Sequence, residues 1–126
     1  EGWTRDILGN TVNIINSAGL RADGLNKLAV QVMNEVGVDI SCQSSKKIKN
    51  INLDTFDLIV TLCDHANQTC PNIPHKSIIH RSILDPTLVS GNIEEQLVIY
   101  RKVRDDIKSL VIDLLKNYNK ICQDRN

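Results

Sequence analysis

A short apolar run in the middle of this chain ends in a cysteine. Residues 56–62 have the length and the β-branched content of a buried strand, and Cys63 follows them directly. In open α/β sheets, ligands bind at the carboxyl ends of the strands. The run therefore predicts a strand of an α/β fold, with chemistry where Cys63 leaves the sheet.

A second cysteine, Cys70, follows Cys63 at a spacing that suggests a redox switch, in which the two thiols join as a disulfide. If residues 64–69 are helical, the pair lies roughly 10 Å apart, since a helix rises about 1.5 Å per residue. A disulfide needs Cα atoms within about 7 Å, so the pair joins only if the segment unwinds. Two inert buried cysteines fit the pattern as well. A zinc site formed by both cysteines with His65 and His80 is a third interpretation, which the spacing disfavours.

Length and composition limit the class of protein. The chain has 126 residues, enough for one domain with its own core, and its 41% hydrophobic and 24% charged content is typical of globular proteins. Lys+Arg and Asp+Glu are 15 each, so charge favours neither nucleic acid nor an anionic membrane as partner. The sequence contains no apolar run long enough for a membrane span and no visible signal peptide. Four cysteines then predict reduced thiols in a cytoplasm, with Cys42 and Cys122 free.

Periodicity and capping residues predict the remaining elements. Helices are expected over residues 1–9, from Asn26 to about Val36, and from Asn92 to about Ile121, with a short helix or turn at 46–50. Strands are expected over 12–17, 56–62 and 77–80. This alternation predicts a parallel α/β sheet. Because three short strands make a thin sheet, we expect that a strand is missing.

Several segments together resemble the thioredoxin-coupled arsenate reductases of the low-molecular-weight tyrosine phosphatase superfamily. The matching pieces are residues 1–3, 17–19, 28–41, 56–63, 70–71, 85–86 and 101–107. A match to any one piece is weak evidence of the family. The whole set, in the same order and over nearly the whole chain, is strong evidence. The resemblance implies a three-layer α/β/α fold with a small parallel sheet, formed by a single domain over residues 1–126.

One motif of that family does not occur in this sequence. Family members begin with a strand, a Cys-x5-Arg loop and a helix, and the 126 residues contain no Cys-x5-Arg. The loop supplies the nucleophilic cysteine and the arginine that holds the oxyanion. The resemblance therefore begins inside the helix after the loop, as in an N-terminally truncated domain that lacks the first, central strand. We expect such a chain to be inactive alone.

The resemblance gives Cys63, Cys70 and Asp85 catalytic roles. In the family, the loop cysteine forms a thiol–arsenate adduct, a second cysteine attacks its sulfur and releases arsenite, and a third attacks the second. Thioredoxin then reduces the resulting disulfide. Cys63 matches the second cysteine, Cys70 the third, and Asp85 the general acid that protonates the departing oxygen. The expected substrate is arsenate and the expected reductant is thioredoxin or a similar thiol, and no cofactor is implied.

Glu1 and Ser17 match positions that form a monovalent-cation site in some family members. A carboxylate of that site falls at Lys46 in this sequence. Since an ammonium there would substitute for the cation, neither potassium nor another metal is expected. Arg81 stands where the family often has a tryptophan, so the packing of the Asp85 loop is expected to differ.

Two alternatives stay open at this point. A low-molecular-weight tyrosine phosphatase typically has tyrosines after its Asp-Pro, whereas this chain has Thr87 and Leu88, and it needs no cysteine relay. A degenerate, non-catalytic interaction module fits the loss of a central strand. In that case the unpaired edges of strands 12–17 and 56–62 predict a homodimer or a marginally stable monomer.

Overall fold

Helices predominate over strands in this fold. The computed structural model describes residues 1–9, 14–62, 73–75 and 77–123. In chain order, the elements are α1 (Gly2–Leu8), α2 (Lys27–Glu35), β1 (Ile59–Thr61), β2 (Ile78–His80), α3 (Ile93–Lys116) and α4 (Tyr118–Gln123). Within these ranges, 3₁₀ turns occur at Ile48–Asn50, Leu53–Thr55 and Pro86–Leu88.

The sheet formed by the described residues has two parallel strands, β1 and β2. The strand predicted over 12–17 is wrong for its described part, because residues 14–17 join no ladder. A strand requires a neighbour that takes its backbone hydrogen bonds. In this segment, the carbonyl of Ile15 accepts from the guanidinium of Arg5 instead. Pairing resumes at Gly19, which forms a single parallel bridge with Lys47.

The strand β1 is shorter than the predicted run of 56–62. Residues 53–55 form a 3₁₀ turn that the Asn52 side chain caps, and the N–H of Phe56 donates back into this turn. The ladder therefore begins only at Ile59, whose N–H donates to the carbonyl of Ser77 at 2.9 Å. The N–H groups of Thr55 and Phe56 therefore bond within the turn rather than to a neighbouring strand.

Both longer helices begin at the predicted caps. Oδ1 of Asn26 accepts from the N–H groups of Leu28 and Ala29 at 2.9 and 3.0 Å. Oδ1 of Asn92 accepts from the N–H of Glu95 at 2.9 Å. Each cap satisfies backbone donors that the first helical turn leaves without a partner.

The helix ends depart modestly from the prediction. Gly9 and Gly37 follow α1 and α2 with φ of 56° and 80°, as predicted, in the region that favours glycine. The long C-terminal helix, however, breaks at Asn117 before α4 continues the chain. The short helix or turn expected at 46–50 is a 3₁₀ turn at Ile48–Asn50, which no side chain caps.

The core lies where α1 and α2 pack on α3. Its buried residues form two clusters: Trp3, Met33, Val38, Ile40 and Val111 in one, and Val32, Leu97 and Tyr100 in the other. Each such side chain contributes about 1.5–3 kcal/mol by leaving water. The predicted apolar stripe of α3 supplies buried residues to both clusters, although Ile93 at its start is 57% exposed. In the described part of the chain, every helix is too short or too polar to cross a bilayer.

Candidate functional site

The described part of the candidate site lies at the carboxyl ends of β1 and β2. Oγ1 of Thr61 and Nδ1 of His80 are hydrogen-bonded at 2.7 Å. The carbonyl of Thr61 also accepts from the N–H of Arg81 at 2.9 Å. Thr61 of β1 thus bonds both to the side chain of His80, the last residue of β2, and to the backbone N–H of the following residue, Arg81. These two bonds fix the point where the following loop leaves the sheet.

Asp85 lies in that loop, five residues beyond His80. Its carboxylate accepts from the backbone N–H of Thr87 at 2.9 Å and from the Thr87 hydroxyl at 2.6 Å. These bonds start the 3₁₀ turn, in which Pro86 takes the first position, where no N–H is needed. The half-buried carboxylate is therefore held by its own turn, and the loop that carries it is anchored at the sheet edge.

The two cysteines of the predicted relay, Cys63 and Cys70, lie outside the described residues, as does His65. The structure does show where the strand before them ends: β1 ends at Thr61, two residues before Cys63 in the sequence. Cys42 is exposed and its thiol is free, as predicted.

The three positions that the sequence linked to a cation site converge in the structure. The Ser17 hydroxyl donates to Oε2 of Glu1 at 2.6 Å, and Nζ of Lys46 lies 3.6 Å from the same oxygen. Arg5, which the sequence analysis missed, donates from Nε to Oε1 of Glu1 at 3.1 Å. The spacing of four residues between Glu1 and Arg5, along the predicted first helix, is the sequence signal that would have identified this pair.

Glu1 is a charged carboxylate with nearly all of its side chain out of water, at 6% exposed. Burial by itself raises its pKa. The hydrogen bond from Ser17, the charge of Lys46 and the hydrogen bond from Arg5 outweigh burial and hold the pKa below its ordinary value. Hard cations bind through free oxygen lone pairs, whereas both oxygens of this carboxylate face donors. The residues present therefore do not fit a bound monovalent cation.

A second charged network joins α2 to α3. Glu35 accepts from Nε and Nη2 of Arg101 at 2.9 and 2.8 Å and from Nη1 of Arg104 at 3.1 Å. The same Nη1 donates to the carbonyl of Val32 at 2.9 Å, and the carbonyl of Arg104 accepts from Nε1 of Trp3 at 3.0 Å. This network connects helices and is structural. Over the described residues, no group of three His, Cys, Asp or Glu side chains is placed to hold a metal ion.

Comparison with known proteins assigns the family. A family model described as low molecular weight phosphotyrosine protein phosphatase matches residues 5–124. The chain belongs to this family. Similar members of known activity are arsenate reductases. Those of Halalkalibacterium halodurans and Bacillus subtilis are each 43% identical over 108 residues, which cover 85% of this chain and 77% of the relative.

Solved structures agree with the family assignment. An arsenate reductase in the phosphate binding state superposes with a TM-score of 0.75 at 28% identity, covering 93% of this chain and 85% of that one. An arsenate reductase in its oxidized state gives 0.75 at 29% identity, covering 96% and 86%. The predicted family and fold class are confirmed: a low molecular weight phosphatase-like fold with a small parallel sheet.

Proposed function

We propose that this protein is an arsenate reductase-type oxidoreductase in which Cys63 and Cys70 carry electrons from a thiol reductant to arsenate. The observation that best supports this proposal is the position of Cys63, two residues beyond β1, in a chain that is 43% identical to arsenate reductases over 85% of its length. Ligands of open α/β sheets bind at this edge.

The proposed chemistry of the pair is a two-electron thiol–disulfide exchange. The Cys63 thiolate attacks the sulfur of a thiol–arsenate adduct formed on a Cys-x5-Arg cysteine, a motif that these 126 residues do not contain. An S–S bond forms, the S–As bond breaks, and its electron pair reduces As(V) to the As(III) of arsenite. The Cys70 thiolate then attacks the Cys63 sulfur and releases the first cysteine. Two electrons and two protons from thioredoxin restore both thiols.

Asp85 is the proposed general acid, which gives its proton to the oxygen that leaves arsenate. The bonds from Thr87 orient the carboxyl group, and the Thr61–His80 contact anchors its loop at the sheet edge. A catalytic acid must be positioned within hydrogen-bond reach of the oxygen it protonates. This double anchoring supports the assignment.

We further propose that residues 1–126 act as one domain in the cytoplasm and that two copies pair through β1. The N–H of Ile59 and the carbonyl of Thr61 bond to β2. Because alternate residues of a parallel strand point to opposite edges, the backbone groups of Val60 face the other edge. Within the described residues, no strand occupies that edge. Open edges of this kind pair readily with another chain.

A tyrosine phosphatase activity is the less well supported alternative. The turn after Asp85 presents Thr87, whose hydroxyl bonds to the Asp85 carboxylate, and Leu88, which is 56% exposed. Neither offers an aromatic face for a phosphotyrosine ring. A phosphatase also has no use for a two-cysteine relay.

Counting thiols tests the proposal directly. Mild oxidation of the chain should remove two of its four thiols, and reduced thioredoxin should restore both, as measured by alkylation and mass spectrometry. Cys70→Ser should abolish the loss, whereas the control Cys42→Ser should keep it. Retention of all four thiols by the oxidised wild-type chain would contradict the relay.

A further inference from the structure

The carboxylate of Glu1 is surrounded by an excess of positive charge. The Lys46 ammonium lies 3.6 Å from Oε2, and the Arg5 guanidinium lies 3.1 Å from Oε1. Ser17 contributes a neutral hydroxyl that donates to Oε2 at 2.6 Å. A further cation at this carboxylate would meet repulsion from each of these charges, and burial weakens the solvent screening.

Lys46 also links three separate segments of the chain. Its backbone carbonyl accepts from the N–H of Gly19 at 2.9 Å, and the N–H of Ile48 donates to the carbonyl of Gly19 at 2.9 Å. Its ammonium donates to the carbonyl of Ser44 at 3.1 Å and faces Glu1 at the start of α1. The side chain is 27% exposed, so the ammonium reaches the carboxylate from a largely covered position.

We propose that the Lys46 ammonium is a built-in monovalent cation, which holds Glu1 and Ser17 in place and makes the stability of the chain independent of potassium. An ammonium carries the same charge as a potassium ion and is tethered, so no ion needs to be captured from solution. Replacement of Lys46 by a carboxylate or by a small side chain then creates a potassium requirement.

Thermal unfolding in potassium chloride and in tetramethylammonium chloride tests this inference. Both salts are used at about 0.1 M, so that screening is equal. The wild-type Tm should agree between the two salts to within about 1 °C, since no ion binds preferentially to the folded state. Lys46→Asp should have a lower Tm in tetramethylammonium and recover about 5 °C or more in potassium.

Two further variants keep the outcome decisive. Lys46→Ala removes the ammonium without adding a charge and should also regain Tm in potassium, which covers a failure of Lys46→Asp to fold. Lys47→Asp makes the same charge change at the exposed neighbouring residue and should give equal Tm values in the two salts. Potassium stabilisation of the wild type, or Lys46 variants that no cation restores, would overturn the inference. Neither arsenate nor thiol chemistry enters the measurement, so its failure is distinct from failure of the redox proposal.

Discussion

The hydroxyl oxygen of Thr61 lies 2.7 Å from Nδ1 of His80 and joins the carboxyl ends of β1 and β2. Cys63 follows the first strand by two residues, and Asp85 follows the second by five. This one side-chain contact therefore lies just before the segment that carries Cys63 and just before the segment that carries Asp85. Its partners come from adjacent positions of the ladder, where Thr61 pairs with His80.

Removal of this hydroxyl should weaken the fold. Thr61→Val keeps the shape of the side chain but loses the hydrogen bond to the imidazole, and a lost, partly buried hydrogen bond costs about 1–2 kcal/mol. Urea unfolding followed by far-UV circular dichroism gives the free energy of unfolding. Thr61→Ser retains the hydroxyl and serves as the control. An unchanged free energy of unfolding in Thr61→Val would show that the hydrogen bond contributes nothing at this position.

Acid should destabilise the protein partly through Glu35. The hydrogen bonds from Arg101, together with the charges of Arg101 and Arg104, hold its pKa below the ordinary value of 4.5. A carboxyl whose pKa is lowered on folding contributes stability above its unfolded pKa and loses it as pH falls through the folded value. The urea midpoint should therefore fall as pH drops below about 4.5, and Glu35→Gln should reduce this fall. An unchanged pH dependence in Glu35→Gln would contradict this contribution.

The chain of 126 residues, assayed alone, should not turn over arsenate. It contains no Cys-x5-Arg to form the thiol–arsenate adduct, although the proposed relay cysteines are present. Arsenate-dependent oxidation of reduced thioredoxin is the measurement, with the Bacillus subtilis arsenate reductase as the positive control. Clear turnover would show that another group forms the adduct and that the Cys-x5-Arg loop is not required.

Dimer formation through β1 should be blocked at Val60. Val60→Pro removes one N–H from the edge that faces away from β2, and proline is tolerated where that N–H is not used inside the sheet. Sedimentation should show a dimer for the wild type and a monomer with unchanged helix content for the variant. A wild-type monomer at all accessible concentrations would refute the proposed pairing.

Local interactions explain why the helices could be predicted from sequence. A helix closes its hydrogen bonds within four residues, so caps such as Asn26 and Asn92 mark its start wherever it packs. The Asp-Pro turn at Asp85 is equally local, since the carboxylate bonds two residues ahead. The ordered motifs, from residues 1–3 to 101–107, likewise identified the family before the fold was known.

Strands and charge networks depended on partners that the sequence does not place. Residues 14–17 have strand-like composition but join no ladder, and β1 begins only where β2 offers hydrogen bonds. Glu35 meets Arg101 across 66 positions of sequence, a pairing that no local pattern predicts. The sequence by itself determined the helices, the local turns and the family. Only the tertiary structure decided which carboxylate meets which cation, because that requires distant segments to pack together.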